Sequence, residues 1–446
     1  MIRRCERPCF ATGVPDDAGL QPTTTTLIRL SVPALAVGAV SALALLALTA
    51  LANGIEHLVW DRLPDAWGVG GTGTWWTVLV LTLTGVLVGA AVRWMPGHAG
   101  VDPATSDLVA APLPLRTLPG LAVALVLGLA GGVSLGPENP IIAINVALAA
   151  WFLCRPRLGV PVPMAVALAV AGTVGAMFAT PVAAALVLTE QFAERGARTG
   201  PLFDRLFGPL LAAGAGAVTM EAFGAPTFSV DLPAYPGPAL GDVVSAAAVA
   251  LATAVFCLLA ILVFPLVHGL FHRLRSPVVA LGAGGLVLGL LGLAGGPLTL
   301  FKGLGEMKEL AQRADTYTWY GLALIGIVKL GALVVAAGAG FRGGRIFPAV
   351  FIGVAFGLAA AAAVPAVPAT VAVSAGVLGS VLAVSRDGWL ALFMGVTTVG
   401  DVRLLPVLCI AVAPLWLAVR SMRPLRIEVP AGRPEFAAVG GAGAAI

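Results

Sequence analysis

The chain has 446 residues, of which 59% are hydrophobic and only 11% charged, with a formal net charge of +4 and a mean hydropathy of +0.98. A soluble domain of this length needs far more charge on its surface, so the composition excludes one and implies a membrane protein. The net positive charge then reports topology and gives no reason to expect a nucleic-acid partner.

Residues 1–26 read as a loose polar tail carrying Arg3, Arg4 and Arg7. About thirty mostly polar residues precede the first apolar run, so the start is not expected to be a secretory signal. Apolar segments follow at 28–56, 74–95, 117–133, 140–155, 160–180, 181–193, 206–222, 242–272, 276–296, 320–341, 347–364, 369–385, 387–398 and 404–420. Long stretches such as Ser31–Ile55, Leu158–Thr189, Val243–Val267 and Ile346–Ser385 carry no charge, the last broken at Pro365–Pro368 and read as two helices. Several segments are too short to cross about 30 Å of hydrocarbon. Heavy punctuation by Gly (56) and Pro (33) suggests half-helices ending inside the membrane around a polar site. The end of the chain, with Arg420, Arg423 and Arg426, is again basic. Both termini are therefore expected in the cytoplasm, the protein crossing the inner (plasma) membrane many times. Residues 429–446 read as a short tail without a regulatory domain.

Little else in the sequence points to chemistry. Cys154, Cys257 and Cys409 lie in apolar runs and read as small buried residues, while "CERPC" at Cys5–Cys9 does not have the spacing of a metal knuckle. The four histidines are scattered and form no HExxH pair, and neither a Walker loop nor a nucleotide fingerprint is present, so no metal and no cofactor is expected.

Two breaks resemble each other. "GGVSLGPENP" (Gly131–Pro140) and "GAGFRGGRIFP" (Gly338–Pro348) each have a glycine-rich turn, a proline and then an apolar helix. Many helices start this way, because proline suits the first helical turn. Pro140 and Pro348 are, however, 348 − 140 = 208 residues apart, nearly half the chain, which suggests two repeats at about 28–222 and 242–428 within one membrane domain. A helix N-terminus presents free N–H groups and about half a positive charge, so such ends meeting at membrane depth suit an anion. A third loop, "PGHAGVDPATSDL" at Pro96–Leu108, is a candidate to join them. Glu138 sits at the mouth of the first break. A carboxylate at membrane depth costs about 3 kcal/mol on insertion scales. As an anion at the positive end of its own helix, it can occupy the transported ion's place and yield it when protonated or swung away. That gate reading is preferred to an ordinary helix-stabilising acid.

"GPENP" (Gly136–Pro140) resembles the GxEGP signature of the CLC family of chloride channels and anion/proton antiporters, and "GGRIFP" (Gly343–Pro348) its GxFxP signature. "GHAGVDP" (Gly97–Pro103) is similar to the family's GSGIP loop, and "ATPVAAALVLTEQF" (Ala179–Phe192) to the segment that follows the GxEGP helix. The order and spacing agree over about residues 28–428, and the chain looks most like a bacterial branch, the YfeO type. The resemblance implies an all-α polytopic membrane protein with the CLC-type fold, two inverted repeats with broken intramembrane half-helices. It also implies a homodimer in the lipid bilayer with one pore per subunit. By position, Glu138 matches the gating glutamate. Gly136, Pro137 and Asn139 flank it in the anion loop, and the backbone N–H groups of Arg345, Ile346 and Phe347 fall where the family holds its anions.

The chain departs from the pattern in three places. The position of the family's anion-binding serine falls on His98, Ala99 or Gly100. The family's tyrosine near the C-terminus is missing; the only tyrosines are Tyr235, Tyr317 and Tyr320, and Arg426 lies near the matching position. The family's inner proton-relay position is Gln191, beside Glu190, and an amide cannot take up and release protons. Of the other intramembrane charges, Glu190 reads as structural, Lys329 as structural or field-setting, and Arg342 and Arg345 as either vestibule or packing charges. Ser385–Trp389 ("SRDGW") reads as a turn between helices.

Together these features favour channel-like or weakly proton-coupled movement of a small inorganic anion of the chloride kind. An anion/proton antiporter with a different inner proton route remains the alternative, followed by an organic-solute carrier. An intramembrane enzyme is not expected, because no paired Asp, Ser/His or metal-ligand set lies within the helices.

Overall fold

The computed structural model describes residues 24–69, 71–105, 111–156, 158–194, 201–224 and 228–427, apart from the side chains of 183 and 191–194. The tails, the "CERPC" stretch and the end of the third loop at 106–108 lie outside the described residues.

Sixteen α-helices run through the described residues. The first half has α1 (Thr24–His57), α2 (Leu63–Trp67), α3 (Trp75–Trp94), α4 (Leu118–Ala130), α5 (Glu138–Leu153), α6 (Val162–Phe178), α7 (Pro181–Glu194) and α8 (Leu202–Ala222). The second has α9 (Leu240–His272), α10 (Pro277–Gly295), α11 (Leu304–Gln312), α12 (Trp319–Ala339), α13 (Ile346–Ala363), α14 (Ala369–Ser385), α15 (Gly388–Val399) and α16 (Leu405–Val419). Seven helical stretches are long and apolar enough to cross a membrane, whereas α5, α6, α14 and α15 have only 10–17 residues. Without water, every backbone N–H and C=O at that depth needs an internal partner, and a helix supplies one for all but its ends.

All fourteen apolar segments of the sequence appear as helices. The two others, α2 and α11, are short and partly polar. In α11 ("LGEMKELAQ") only Met307 and Leu310 are buried, so a search for apolar runs passes over it. The break at Pro365–Pro368 does separate α13 from α14, since a proline disfavours helix at the residue before it. Cys257 is buried, Cys154 half-buried and Cys409 exposed, so Cys409 is not the buried residue the sequence suggested. Helix α16 is apolar on its outer side as well as its inner one.

The halves pack alike. Helix α6 lies against α1, α5, α7 and α8, and α14 against α9, α13, α15 and α16. Between the halves, α3 crosses α10 through glycines. A Cβ on Gly85 would lie 2.1 Å from the Leu281 carbonyl oxygen, and one on Gly285 would lie 2.1 Å from that of Leu81. Gly89 meets Val278 Cα at 2.6 Å, and Gly289 meets Val78 Cα at 2.6 Å. In each case adding 200 to one partner's number gives the equivalent residue of the reciprocal contact. Such exchange of partners is the signature of a two-fold axis. Small residues let the two backbones approach, which is how helices associate where lipid is as apolar as they are.

Candidate functional site

The two glycine-proline breaks meet at this pseudo-symmetric axis. Gly136 N–H donates to the Gly344 carbonyl at 2.9 Å, and Gly344 N–H donates to that of Gly136 at 2.7 Å. The two glycines are again 208 residues apart, so equivalent points of the repeats bond each other. Helices α5 and α13 start within two residues of this bridge, and both carry proline at their third position.

Glu138 opens α5 and is fully buried. Its carboxylate Oε1 accepts the Phe347 N–H at 2.6 Å, at the N-terminus of α13. Its own N–H and that of Ile346 also face the carboxylate. Oε2 has no hydrogen-bond partner among the described residues. The glycines leave room for this arrangement: a Cβ on Gly344 would lie 1.9 Å from Oε2, and one on Gly136 would lie 2.2 Å from it. A negative group thus sits against two helix N-termini that favour an anion. Pro137 and Asn139 flank it, Asn139 half-buried. Arg345, also half-buried, is the residue before α13.

Two aromatic rings close in around that of Phe347. Phe178 lies 5.8 Å and Phe228 5.2 Å from it between ring centroids, and Phe178 and Phe228 are 5.6 Å apart. All three are buried. Sequence reasoning missed Phe178, at the end of α6, and Phe228, in the segment between α8 and α9, because isolated phenylalanines carry no pattern.

The third loop does not itself open a helix. Gly97, His98, Ala99 and Gly100 all have positive φ (73°, 54°, 52° and 82°), and α4 starts only at Leu118. Arg342 holds this turn: its Nε donates to the Ala99 carbonyl at 3.0 Å, Nη2 to that of His98 at 3.1 Å and Nη1 to that of Gly340 at 3.1 Å. Arg342 therefore ties the third loop to the segment that leads into α13. The His98 ring is held by its Nδ1 at the Val92 carbonyl, 3.1 Å away, and Ala99 is fully buried. Gln191 lies on α7, and its side chain is outside the described residues.

Lys329 is fully buried in α12, and its Nζ donates to the Thr299, Leu300 and Phe301 carbonyls at 3.2, 2.6 and 2.7 Å. The ammonium also lies 5.0 Å from the Phe351 ring centroid. That loop in turn bonds the first break through Phe301 N–H and the Gly132 carbonyl, 3.0 Å apart. At "SRDGW", Asp387 accepts the Leu390 N–H at 2.8 Å and caps α15, while Arg386 donates to the Val419 and Arg423 carbonyls. The missing tyrosine is not replaced by Tyr235, whose hydroxyl donates to Asp242 at 2.7 Å.

Comparison with known proteins places this architecture. The family model described as voltage gated chloride channel matches residues 84–414. In Escherichia coli (strain 55989 / EAEC), YfeO, named for ion transport, is 46% identical over 417 residues, which are 93% of this chain and 99% of that protein. Among solved structures, a CLC-type fluoride/proton antiporter superposes with a TM-score of 0.71 at 18% identity, covering 92% of this chain and 100% of that one. A slow cyanobacterial Cl−/H+ antiporter gives 0.74 at 16% identity, covering 89% and 96%. At those identities the likeness speaks for the fold. The matched family and the extent of the YfeO match make the chain a member of the CLC family of anion channels and transporters, on its YfeO-like branch.

Proposed function

We propose that this chain carries a small inorganic anion, chloride or one like it, across the bacterial inner membrane. Each subunit of a homodimer has its own pore, gated by Glu138, and both termini are cytoplasmic. The observation that carries the reading is the Glu138 carboxylate on the Phe347 N–H, in the place an anion would take at the start of α13. Deprotonated, the carboxylate competes with the ion; protonation removes its charge and frees the helix ends. Gly136, Pro137, Asn139, Arg345, Ile346 and Phe347 line the position, and His98, Ala99 and Gly100 form the loop that Arg342 ties to it. Transport is channel-like or loosely coupled to protons, since Gln191 occupies the inner relay position and an amide does not titrate.

The second reading is an anion/proton antiporter with another inner proton route. It is favoured by the naming of two similar solved structures as antiporters. An organic-solute carrier has no observation in its favour.

Anion flux in liposomes tests the gate. Wild-type flux is expected to rise as pH falls towards about 4 and the carboxylate gains its proton. Glu138→Gln and Glu138→Ala are expected to give high flux that hardly changes with pH. Wild-type behaviour in both variants would remove Glu138 from the gate.

A further inference from the structure

Asp102, in the third loop, and His268 and His272, in the last turns of α9, form a cluster that transport does not use. They are 166 and 170 residues apart in sequence, yet their ligand atoms all lie within 4.8 Å of one another. Asp102 Oδ2 and His272 Nε2 are 3.4 Å apart, and the two imidazole centroids 3.8 Å apart.

The hydrogen bonds around the cluster fix which atoms face inward. His272 Nδ1 is 2.9 Å from the His268 carbonyl. A carbonyl only accepts, so Nδ1 carries the proton and Nε2 is turned towards Asp102. Asp102 Oδ1 accepts the Ala104 N–H at 2.9 Å, which leaves Oδ2 for the cluster. The buried Nδ1 of His268 has no hydrogen-bond partner among the described residues. Outer hydrogen bonds of this sort orient ligands at metal sites. The charged neighbours are Arg342 and Arg345. Arg342 spends Nε, Nη1 and Nη2 on the carbonyls of Ala99, Gly340 and His98 rather than on the carboxylate.

The spacing separates two occupants. A charge-assisted N–H···O bond closes to about 2.8 Å. Two ligands on one tetrahedral zinc, each about 2.0–2.1 Å from it, lie about 3.3 Å apart. The 3.4 Å between Nε2 and Oδ2 is close to the second, and the other ligand atoms, within 4.8 Å of one another, draw in around a bound ion. Two imidazoles and one carboxylate suit borderline divalent metals such as zinc or cobalt and disfavour calcium or magnesium.

We propose that Asp102, His268 and His272 bind one divalent transition-metal ion of the zinc class per protomer, leaving a fourth position open to water. The ion joins the third loop, through Asp102, to the end of α9. Because Arg342 holds the same loop to the segment before α13, the metal completes a brace running from α9 through the third loop to the gate region.

The test uses untagged, chelator-stripped protein in detergent, titrated with cobalt(II) and then zinc(II). One cobalt per protomer is expected, with the visible bands of a low-symmetry four-coordinate site, bleached by zinc, and with a metal-dependent rise in Tm. His268→Gln and His272→Gln should each weaken binding at least about tenfold and abolish the Tm rise, while leaving metal-free anion flux as in the wild type. His57→Gln, which removes the exposed pair with Asp61, should bind as the wild type does. The proposal fails if the wild type shows no saturable binding, if the double variant His268→Gln/His272→Gln binds as tightly as wild type, or if His57→Gln is the variant that loses the metal. A lowered Tm in His272→Gln without metal binding by the wild type would make the cluster an ion pair only.

Discussion

At the scale of single residues, the candidate site depends on two absent side chains. Gly344 and Gly136 give the Glu138 carboxylate its space. Alanine at 344 brings a methyl to 1.9 Å from Oε2 and 2.8 Å from Glu138 Cβ. The carboxyl end can rotate away, whereas the Cβ is fixed to its backbone, so the side chain must leave the Phe347 N–H. Gly344→Ala is expected to raise anion flux at neutral pH above wild type, towards the level of Glu138→Gln, and to flatten its pH dependence. A variant that folds and keeps the wild-type pH profile would mean that the carboxylate can stay in place. The buried cations have a different task. Lys329 and Arg342 each satisfy backbone carbonyls of a loop that cannot be helical, and an unpaired carbonyl at that depth costs several kcal/mol.

At the scale of helices, close approach is what glycine supplies. Leucine at Gly85 would drive a side chain into the Leu281 carbonyl of α10, and α3 and α10 would have to separate. Overpacking typically costs about 1–3 kcal/mol, so Gly85→Leu should lower Tm in detergent by an amount of that order. Gly331 in α12 is the control, since a Cβ there meets nothing within 4 Å. Gly331→Ala should be neutral or stabilising by up to about 1 kcal/mol, because glycine is the poorer helix former. Equal losses from both substitutions would show that the α3–α10 crossing is not a critical contact.

At the scale of the whole molecule, proton coupling needs a second path beside the anion's. With Gln191 proposed for the inner relay position and Glu190 turned about 100° from it along α7, a chloride gradient should not pump protons uphill in liposomes, and flux should persist with the membrane potential clamped. Strong uphill proton movement would return the protein to antiport. Gln191→Glu, with an intact pathway, should then add partial coupling. The assembly is expected to be a homodimer. Native mass measurement at low detergent should give twice the 44.9 kDa of one chain, and a monomer alone would refute it.

The sequence by itself determined the membrane class, fourteen of the sixteen helices, the two homologous breaks and the singular position of Glu138. These are legible because burial in lipid selects apolar runs residue by residue, and because a charge or a Gly–Pro break in such a run stands out locally. The Gly136–Gly344 bridge, the ring cluster around Phe347 and the partners of Lys329 and Arg342 were decided only in the tertiary structure. So was the convergence of Asp102 with His268 and His272, where the sequence showed only scattered histidines. The partners in each of these sets come from different elements, and most are backbone groups, which every residue has and no side-chain pattern marks. Which carbonyl meets which cation follows from how closely two distant helices can cross, and that depends on many small residues acting together.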